Sequence, residues 1–143
     1  MFIFKKLING KQIFFYLFIL SILIFFIFYS IFYKKKSNWI SYSIEGKTYS
    51  LLIAKTIFEH QRGLMFYRDK KELKGADGMI FIFDKKDYRT FWNKNTFLDL
   101  DIYWFDGEKI VGKDFLPSIK KTKEIITITS PKPVDKVVEV IKN

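Results

Sequence analysis

The sequence contains no cysteine, which excludes disulfides, thiolate nucleophiles, lipidation of an N-terminal cysteine and every cysteine-based zinc site. It contains one histidine, His60. A lone imidazole with no thiol beside it lacks the companions of a metal site, so no metal is expected, and no cofactor motif is present. A Ser-His-Asp triad requires His60 itself, and no Gly-x-Ser-x-Gly elbow supports one; His60 reads as a surface residue of a short helix. Arginine is scarce as well. Of 25 basic residues only Arg62, Arg68 and Arg89 are arginines, and the lysines are scattered through every segment. The formal charge of +10 therefore comes without the planar, bidentate groups that read bases and clamp phosphates. Nucleic-acid binding is not expected, whereas loose attraction to anionic lipid or polymer is.

What the chain has in abundance is apolar surface. Hydrophobic residues make up 49% of its 143 residues, with 17 phenylalanines, and they concentrate near the N-terminus. Ile13 to Tyr33 is an uncharged run of 21 residues between Lys11 and Lys34-Lys35-Lys36. As a helix it spans about 30 Å, the hydrocarbon thickness of a bilayer. Sixteen of its residues are Ile, Leu or Phe, which together favour insertion by about 5 to 10 kcal/mol. The run is longer than a signal-peptide core, and no small-x-small cleavage site follows it, since Lys34 to Trp39 reads KKKSNW. A retained single-pass anchor in the lipid bilayer is expected, with residues 1–12 a short basic tail, 13–33 the membrane helix, 34–39 a linker and 40–143 one globular domain. Lys5, Lys6 and Lys11 on one side balance three lysines on the other, so charge alone does not orient the segment.

Beyond the linker the apolar period shortens to two. Ile40, Tyr42 and Ile44, then Tyr49, Leu51 and Ile53 on the far side of Glu45-Gly46, predict a hairpin over 40–54. Thr56-Ile57-Phe58-Glu59 has capping-box spacing and predicts a short helix to about Arg62, ended by Gly63. Gly78 to Phe83 reads as a buried strand, Asp84 to Asp87 as a turn, and Arg89 to Asn93 as a central strand. Alternation from Leu98 to Phe105 before Asp106-Gly107 predicts a second hairpin returning through Lys109 to Gly112. Ile125 to Thr129 and Val137 to Ile141 supply the last strands, and Pro131 and Pro133 bar a central strand between them. Roughly seven strands with one short helix predict a mainly β (α+β) domain, a small antiparallel sheet curled into a partly closed barrel.

The stretch that departs most from core-strand composition is Phe91-Trp92-Asn93-Lys94-Asn95-Thr96, where a cation, two carboxamides and a hydroxyl sit among rings, with Asp99 and Asp101 close behind. It resembles the Phe-Trp-Met-Lys-Asn-Thr motif of the family catalogued as domain of unknown function 192. Gly63-Leu64-Met65, Gly78-Met79, Leu100-Asp101 and Phe105-Asp106-Gly107 resemble further motifs of that family in the same order, over roughly Leu51 to Val140. Asn93 stands where the family has methionine. The family's Gly-Leu-Met is usually followed by a basic residue; Arg68 is the counterpart here, one place later than the common spacing. The resemblance implies a fold and a shared surface but no established activity. Many relatives carry N-terminal export sequences, which implies that the globular domain lies outside the cytoplasm.

Trp92, Lys94, Asn95, Asp101 and Arg68 are the candidate ligand-binding residues. With Lys94 and Asp101 on adjacent strands they would face each other across a shallow pocket. There Trp92 offers a stacking surface and Asn95 hydrogen bonds, a mixture suited to a carbohydrate or other small polar ligand. Three alternatives stay open. In the first, Lys94 and Asp101 only brace a strand junction; in the second, Asp101 is the base or Lys94 the desolvated amine nucleophile of an enzyme, although the sequence supplies no matched acid-base pair or oxyanion hole; in the third, an open sheet edge pairs with an envelope protein.

Overall fold

The computed structural model describes residues 9–32 and 39–142, which form two units. In the first, α1 (Gly10–Phe32) is a helix about 35 Å long. It has no polar face: its residues through Ile27 are exposed all round, and the stretch Gly10–Ile27 is long and apolar enough to cross a membrane. The Ser21 hydroxyl donates back to the Phe18 carbonyl at 2.8 Å, so the one polar side chain between Ile13 and Ile27 other than the Tyr16 hydroxyl is satisfied inside the helix. The helix begins three residues before the expected Ile13. Residues 1–8, Tyr33 and the linker lysines Lys34, Lys35 and Lys36 lie outside the described residues.

The second unit is built on eight strands: β1 (Trp39–Ile44), β2 (Lys47–Ala54), β3 (Gly78–Asp87), β4 (Thr90–Trp92), β5 (Leu100–Asp106), β6 (Lys109–Leu116), β7 (Thr127–Thr129) and β8 (Val134–Ile141). Two short helices, α2 (Ile57–Arg62) and α3 (Ile119–Thr122), interrupt them. Six strands form one sheet in the order β1-β2-β3-β8-β5-β6, while β4 and β7 pair separately. Every pair in the large sheet is antiparallel except β2 with β3. That parallel pair follows from α2, which carries the chain back to the end where β2 began. The C-terminal strand β8 fills the centre, which its run of valines permits.

The sheet curls without closing. Its edge strands β1 and β6 share no backbone ladder, yet side chains from the two ends meet. The Tyr42 hydroxyl donates to Glu108 at 2.9 Å, Tyr42 stacks edge-on against Phe105, and Lys113 approaches Glu45 at 3.9 Å. The partly closed barrel thus holds as a curled open sheet. Its inner face gathers Ile44, Leu51, Ile80, Tyr103, Phe105, Val138 and Val140. The outer face gathers Phe81, Leu100, Ile102, Trp104 and Val137, over which Leu64, Leu73, Ala76 and Leu98 are laid from the connections. Each of the six strands of the large sheet serves both clusters because its side chains alternate.

The hairpins at 40–54 and around Asp106-Gly107 form where expected, the second with Gly107 at φ +61° and a longer return strand, to Leu116. Two segments differ. Asp84 to Asp87 continues β3 through an irregularity in its pairing with β8 instead of turning. Arg89 to Asn93 is not a central strand: only Thr90–Trp92 pairs, with β7, in the small sheet. Asn93 ends that pairing because its buried side chain takes over from the ladder. Its Oδ1 accepts from the Ile126 amide at 2.8 Å, and its Nδ2 donates to the Pro117 carbonyl at 3.1 Å and Thr122 Oγ1 at 2.9 Å. Lys94 and Asn95 then form a turn, with Asn95 at φ +53°.

Candidate functional site

A cavity of about 580 Å³ opens on the outer face, between α2 with its following loop and the β4 arm, above β3 and β8. Its size is that of pockets that enclose small organic ligands. The α2 side is fixed by the capping box: Glu59 N donates to Thr56 Oγ1 at 3.2 Å, and Glu59 Oε2 accepts from the Thr56 amide at 2.9 Å. Both otherwise free amides at the helix start are thereby satisfied. Gly63 ends the helix at φ +48°, in a conformation that disfavours side chains. A Cβ there would press within 3.3 Å of Phe81 Cζ and 3.7 Å of Glu139 Oε2, so the loop rests directly on the cavity floor.

The walls are aromatic. Phe81 and Phe83 project from β3, and Phe91 meets Phe81 edge-on with ring centres 4.8 Å apart. His60 is not a free surface residue. It is half-buried in the wall, its ring 4.5 Å from that of Phe83 and its Nε2 3.1 Å from the Ala54 carbonyl oxygen. Trp92 and Tyr88 stand at the rim, both largely exposed.

Two ionisable groups are set into this apolar frame. Glu139, from the middle of β8, is 4% exposed. Burial pushes its carboxyl up to about 8, against the opposing effect of a hydrogen bond from the Leu64 amide, so it is mostly protonated at neutral pH. Its Oε2 has no hydrogen-bond partner. Arg89 stands over the ring of Phe83, with Cζ 3.9 Å from the ring centre, and donates through Nη2 to the Lys85 carbonyl at 2.7 Å. Its backbone is pinned to Ser130 by bonds of 3.0 and 2.9 Å. Arg89 Nε is buried and also without a partner. Among the described residues these two are the only buried side-chain polar atoms left unpaired, and both belong to residues lining this one cavity.

The residues expected from sequence are distributed unevenly. Trp92 lines the cavity, and Lys94 extends over it from the adjoining turn, Nζ 5.2 Å from the ring centre. Asn95 braces the same corner through its backbone, its carbonyl accepting from the Phe66 amide at 2.9 Å. Arg68 is exposed on the following loop, its amide donating to Glu72 at 2.8 Å. Asp101 stands apart: it pairs in register with Val140, an inner-face residue, while Glu139 pairs with Ile102, an outer-face residue. Its neighbour is Lys142, at 3.8 Å. Lys94 and Asp101 therefore do not face each other across a pocket. Lys94 occupies a turn and not a strand, and the alternation of β5 sends Asp101 to the opposite face.

Glu139 and Arg89 do not stand out when the sequence is read for apolar period and motif. A signal existed for Glu139, a lone acid inside Val137-Val138-Glu139-Val140-Ile141, where a charge interrupts a run otherwise fit for a fully buried strand. Arg89 carries no such local mark.

A family model described as "Uncharacterized ACR", domain of unknown function 192, matches residues 40–143. The chain belongs to this family. The matched span takes in the whole of the second unit except Asn38 and Trp39, so the cavity and the hexapeptide are features of a member of domain of unknown function family 192. Two solved structures share the fold. A protein of unknown function from Novosphingobium aromaticivorans DSM 12444 superposes with a TM-score of 0.56 at 20% identity, covering 76% of this chain and 84% of that one. A protein from Sinorhizobium meliloti 1021, described as a candidate transcription regulator, superposes with a TM-score of 0.53 at 25% identity, covering 72% of this chain and 76% of that one. No curated protein matches the chain.

Proposed function

We propose that this chain is a single-pass membrane-anchored binding protein whose family domain lies outside the cytoplasm and holds a small polar ligand of carbohydrate type in the outer-face cavity. The observation that carries the reading is that the two partnerless buried polar atoms, Glu139 Oε2 and Arg89 Nε, both belong to residues that line one aromatic-walled cavity. An unmade buried hydrogen bond costs about 1 to 3 kcal/mol. A ligand rich in oxygen removes two such costs at once, while Trp92, Phe91 and Phe83 offer ring faces to the C–H surface of a sugar. Of the residues read as site residues from the sequence, Trp92 is among those that line this cavity, Lys94 lies against its ring on the adjoining turn, and Asp101 is on the other face of the sheet. The apolar α1 supports the anchor, and the resemblance of the soluble part to exported relatives supports the side.

Titration of the full chain in detergent micelles with neutral and acidic monosaccharides, followed by tryptophan fluorescence, tests the binding claim. A saturable change that disappears in Trp92→Ala, with unfolding temperature unaltered, is the expected result. Absence of saturation with any sugar sinks the carbohydrate reading. Protease treatment of intact cells tests the topology: a C-terminal tag that survives until lysis contradicts the outside placement.

A further inference from the structure

The three arginines of the chain are not spread like its lysines. Arg62 and Arg89 both line the cavity. Among the described residues every side-chain ion pair uses a lysine, and neither of these arginines has one. Arg62 rests against Tyr67, with Cζ 5.6 Å from the ring centre, and Arg89 against Phe83. Both guanidinium groups are thus held by ring faces, which fix position without neutralising charge. The lining contains one carboxyl group, Glu139.

We infer that the cavity selects an anionic sugar, a ring bearing a carboxylate or phosphoryl group whose oxygens are received by Arg89 and Arg62 while a ring hydroxyl bonds Glu139. This rests on the carbohydrate reading and narrows it. Besides Glu139, which accepts from the Leu64 amide, the ionisable side chains of the lining are His60 and Arg62 from α2, Tyr88 and Arg89 from the arm. None of them is a carboxylic acid. With Glu139 neutral, the lining carries two cations and no counter-charge, and a guanidinium presents its N–H groups in the fork that two oxygens of one anion match. At Arg89 one N–H of that kind remains unpartnered, Nε, since Nη2 is committed to the Lys85 carbonyl, and Arg62 offers the second donor. Raising the pH through about 8 ionises Glu139, adds a negative charge beneath the ligand and weakens the anion's hold, whereas a neutral sugar is indifferent to it.

The full chain in micelles at pH 7 is titrated with glucose, glucuronate and glucose 6-phosphate, and with the matching galactose series. The expected result is that at least one anionic sugar binds about tenfold or more tightly than its neutral parent. Whichever of glucuronate or glucose 6-phosphate leads identifies the anionic group. Arg89→Gln should shrink that preference to less than about threefold, and Arg89→Lys, which keeps the charge and loses Nε, should fall between. Melting curves of both variants establish that the fold survives. At pH 9 the preference should decline, and in Glu139→Gln it should not change with pH. Equal binding of neutral and anionic sugars overturns the inference and leaves the carbohydrate reading standing. Failure of every sugar to bind overturns both. A preference for anions that survives unchanged in both Arg89 variants overturns the arginine assignment.

Discussion

Lys136 and Glu139 lie three residues apart on β8, one on each face of the sheet, and their surroundings differ completely. On the inner face Lys136 donates to Glu108 at 2.6 Å and to the Tyr42 hydroxyl at 3.0 Å, and its ammonium stands 5.0 Å from the Tyr42 ring centre. Burial disfavours its charge, but the bonds to Glu108 and Tyr42 outweigh this and hold Lys136 above the ordinary lysine range. On the outer face Glu139 receives one bond, from the Leu64 amide, and keeps an oxygen unpaired. The inner face spends its ionisable groups on holding the curled sheet together. The outer face keeps an unpaired carboxyl oxygen on a residue that lines a cavity, and on that difference the proposed site rests.

The most disruptive way to break this contrast is to separate β8 from β3, since both faces depend on that pairing. Gly78 sits opposite Val140 in the register, and a Cβ on it would fall 1.9 Å from the Glu139 carbonyl oxygen. Gly78→Ala is therefore expected to destabilise the domain by roughly 4 kcal/mol or more, read from denaturant midpoints, because backbone and not a flexible side chain must move.

Next comes the pH dependence that the unpaired acid imposes. The carboxyl of Glu139 is raised from its ordinary 4.5 to about 8, so the fold favours its protonated form. The stability this contributes is complete below about pH 4.5 and is lost as pH rises through about 8. Unfolding free energy should fall by about 4 kcal/mol between pH 5 and pH 9 in the wild type, and this slope should vanish in Glu139→Gln. The carboxylates that gain partners titrate elsewhere. Burial opposes ionisation of Asp77 and Asp99, yet Lys70 with the Ser50 amide, and Lys121 with the Ser118 amide, hold both below the ordinary range. Their contribution is present above the ordinary aspartate value, 3.8, and is lost as pH falls through their lowered values. A wild-type profile that stays flat from pH 5 to pH 9 would mean that the Glu139 carboxyl ionises at no cost and that the floor is wet.

Smaller in effect is the loss of a buried polar group that does have its partners. Asn93 bonds the Ile126 amide, the Pro117 carbonyl and the Thr122 hydroxyl, with no exposed surface. Asn93→Ala should cost about 2 kcal/mol by orphaning these groups, without the pH slope of Glu139. The residue also shows where sequence is readable and where it is not. The hairpins and the capping box at Thr56 were legible because turn chemistry and apolar period are local. The hexapeptide was legible as unusual, and Trp92 does reach the cavity. The assignment of Arg89 to Asn93 as a central strand fails because Asn93 bonds to residues 24 to 33 positions away, and no local pattern encodes such partners. For the same reason Lys94 and Asp101, close in sequence and complementary in charge, are not brought together, while Glu139 and Arg89, 50 residues apart, line one cavity.

The smallest expected effect is the sharpest check on the inner face. Lys136→Met removes an ammonium whose side chain is only 14% exposed, but its acidic partner Glu108 is 82% exposed and returns to water without penalty. The Tyr42 hydroxyl keeps its own bond to Glu108 at 2.9 Å. Methionine meanwhile retains most of the stem that packs between Tyr42 and Phe105. The change should cost about 1 kcal/mol or less, and a neutral result is allowed by the desolvation that the buried ammonium no longer incurs. The pH test has a definite sign. Lys136 is raised above its ordinary value of 10.5, so its contribution is whole below that value and is lost only as pH climbs through the raised one. Between pH 5 and pH 9 the Lys136→Met curve should therefore run parallel to the wild type, with the Glu139 slope intact. A variant that flattened that slope would show the two groups coupled through β8, and the division of the sheet into a face of paired charges and a face with an unpaired acid would fail.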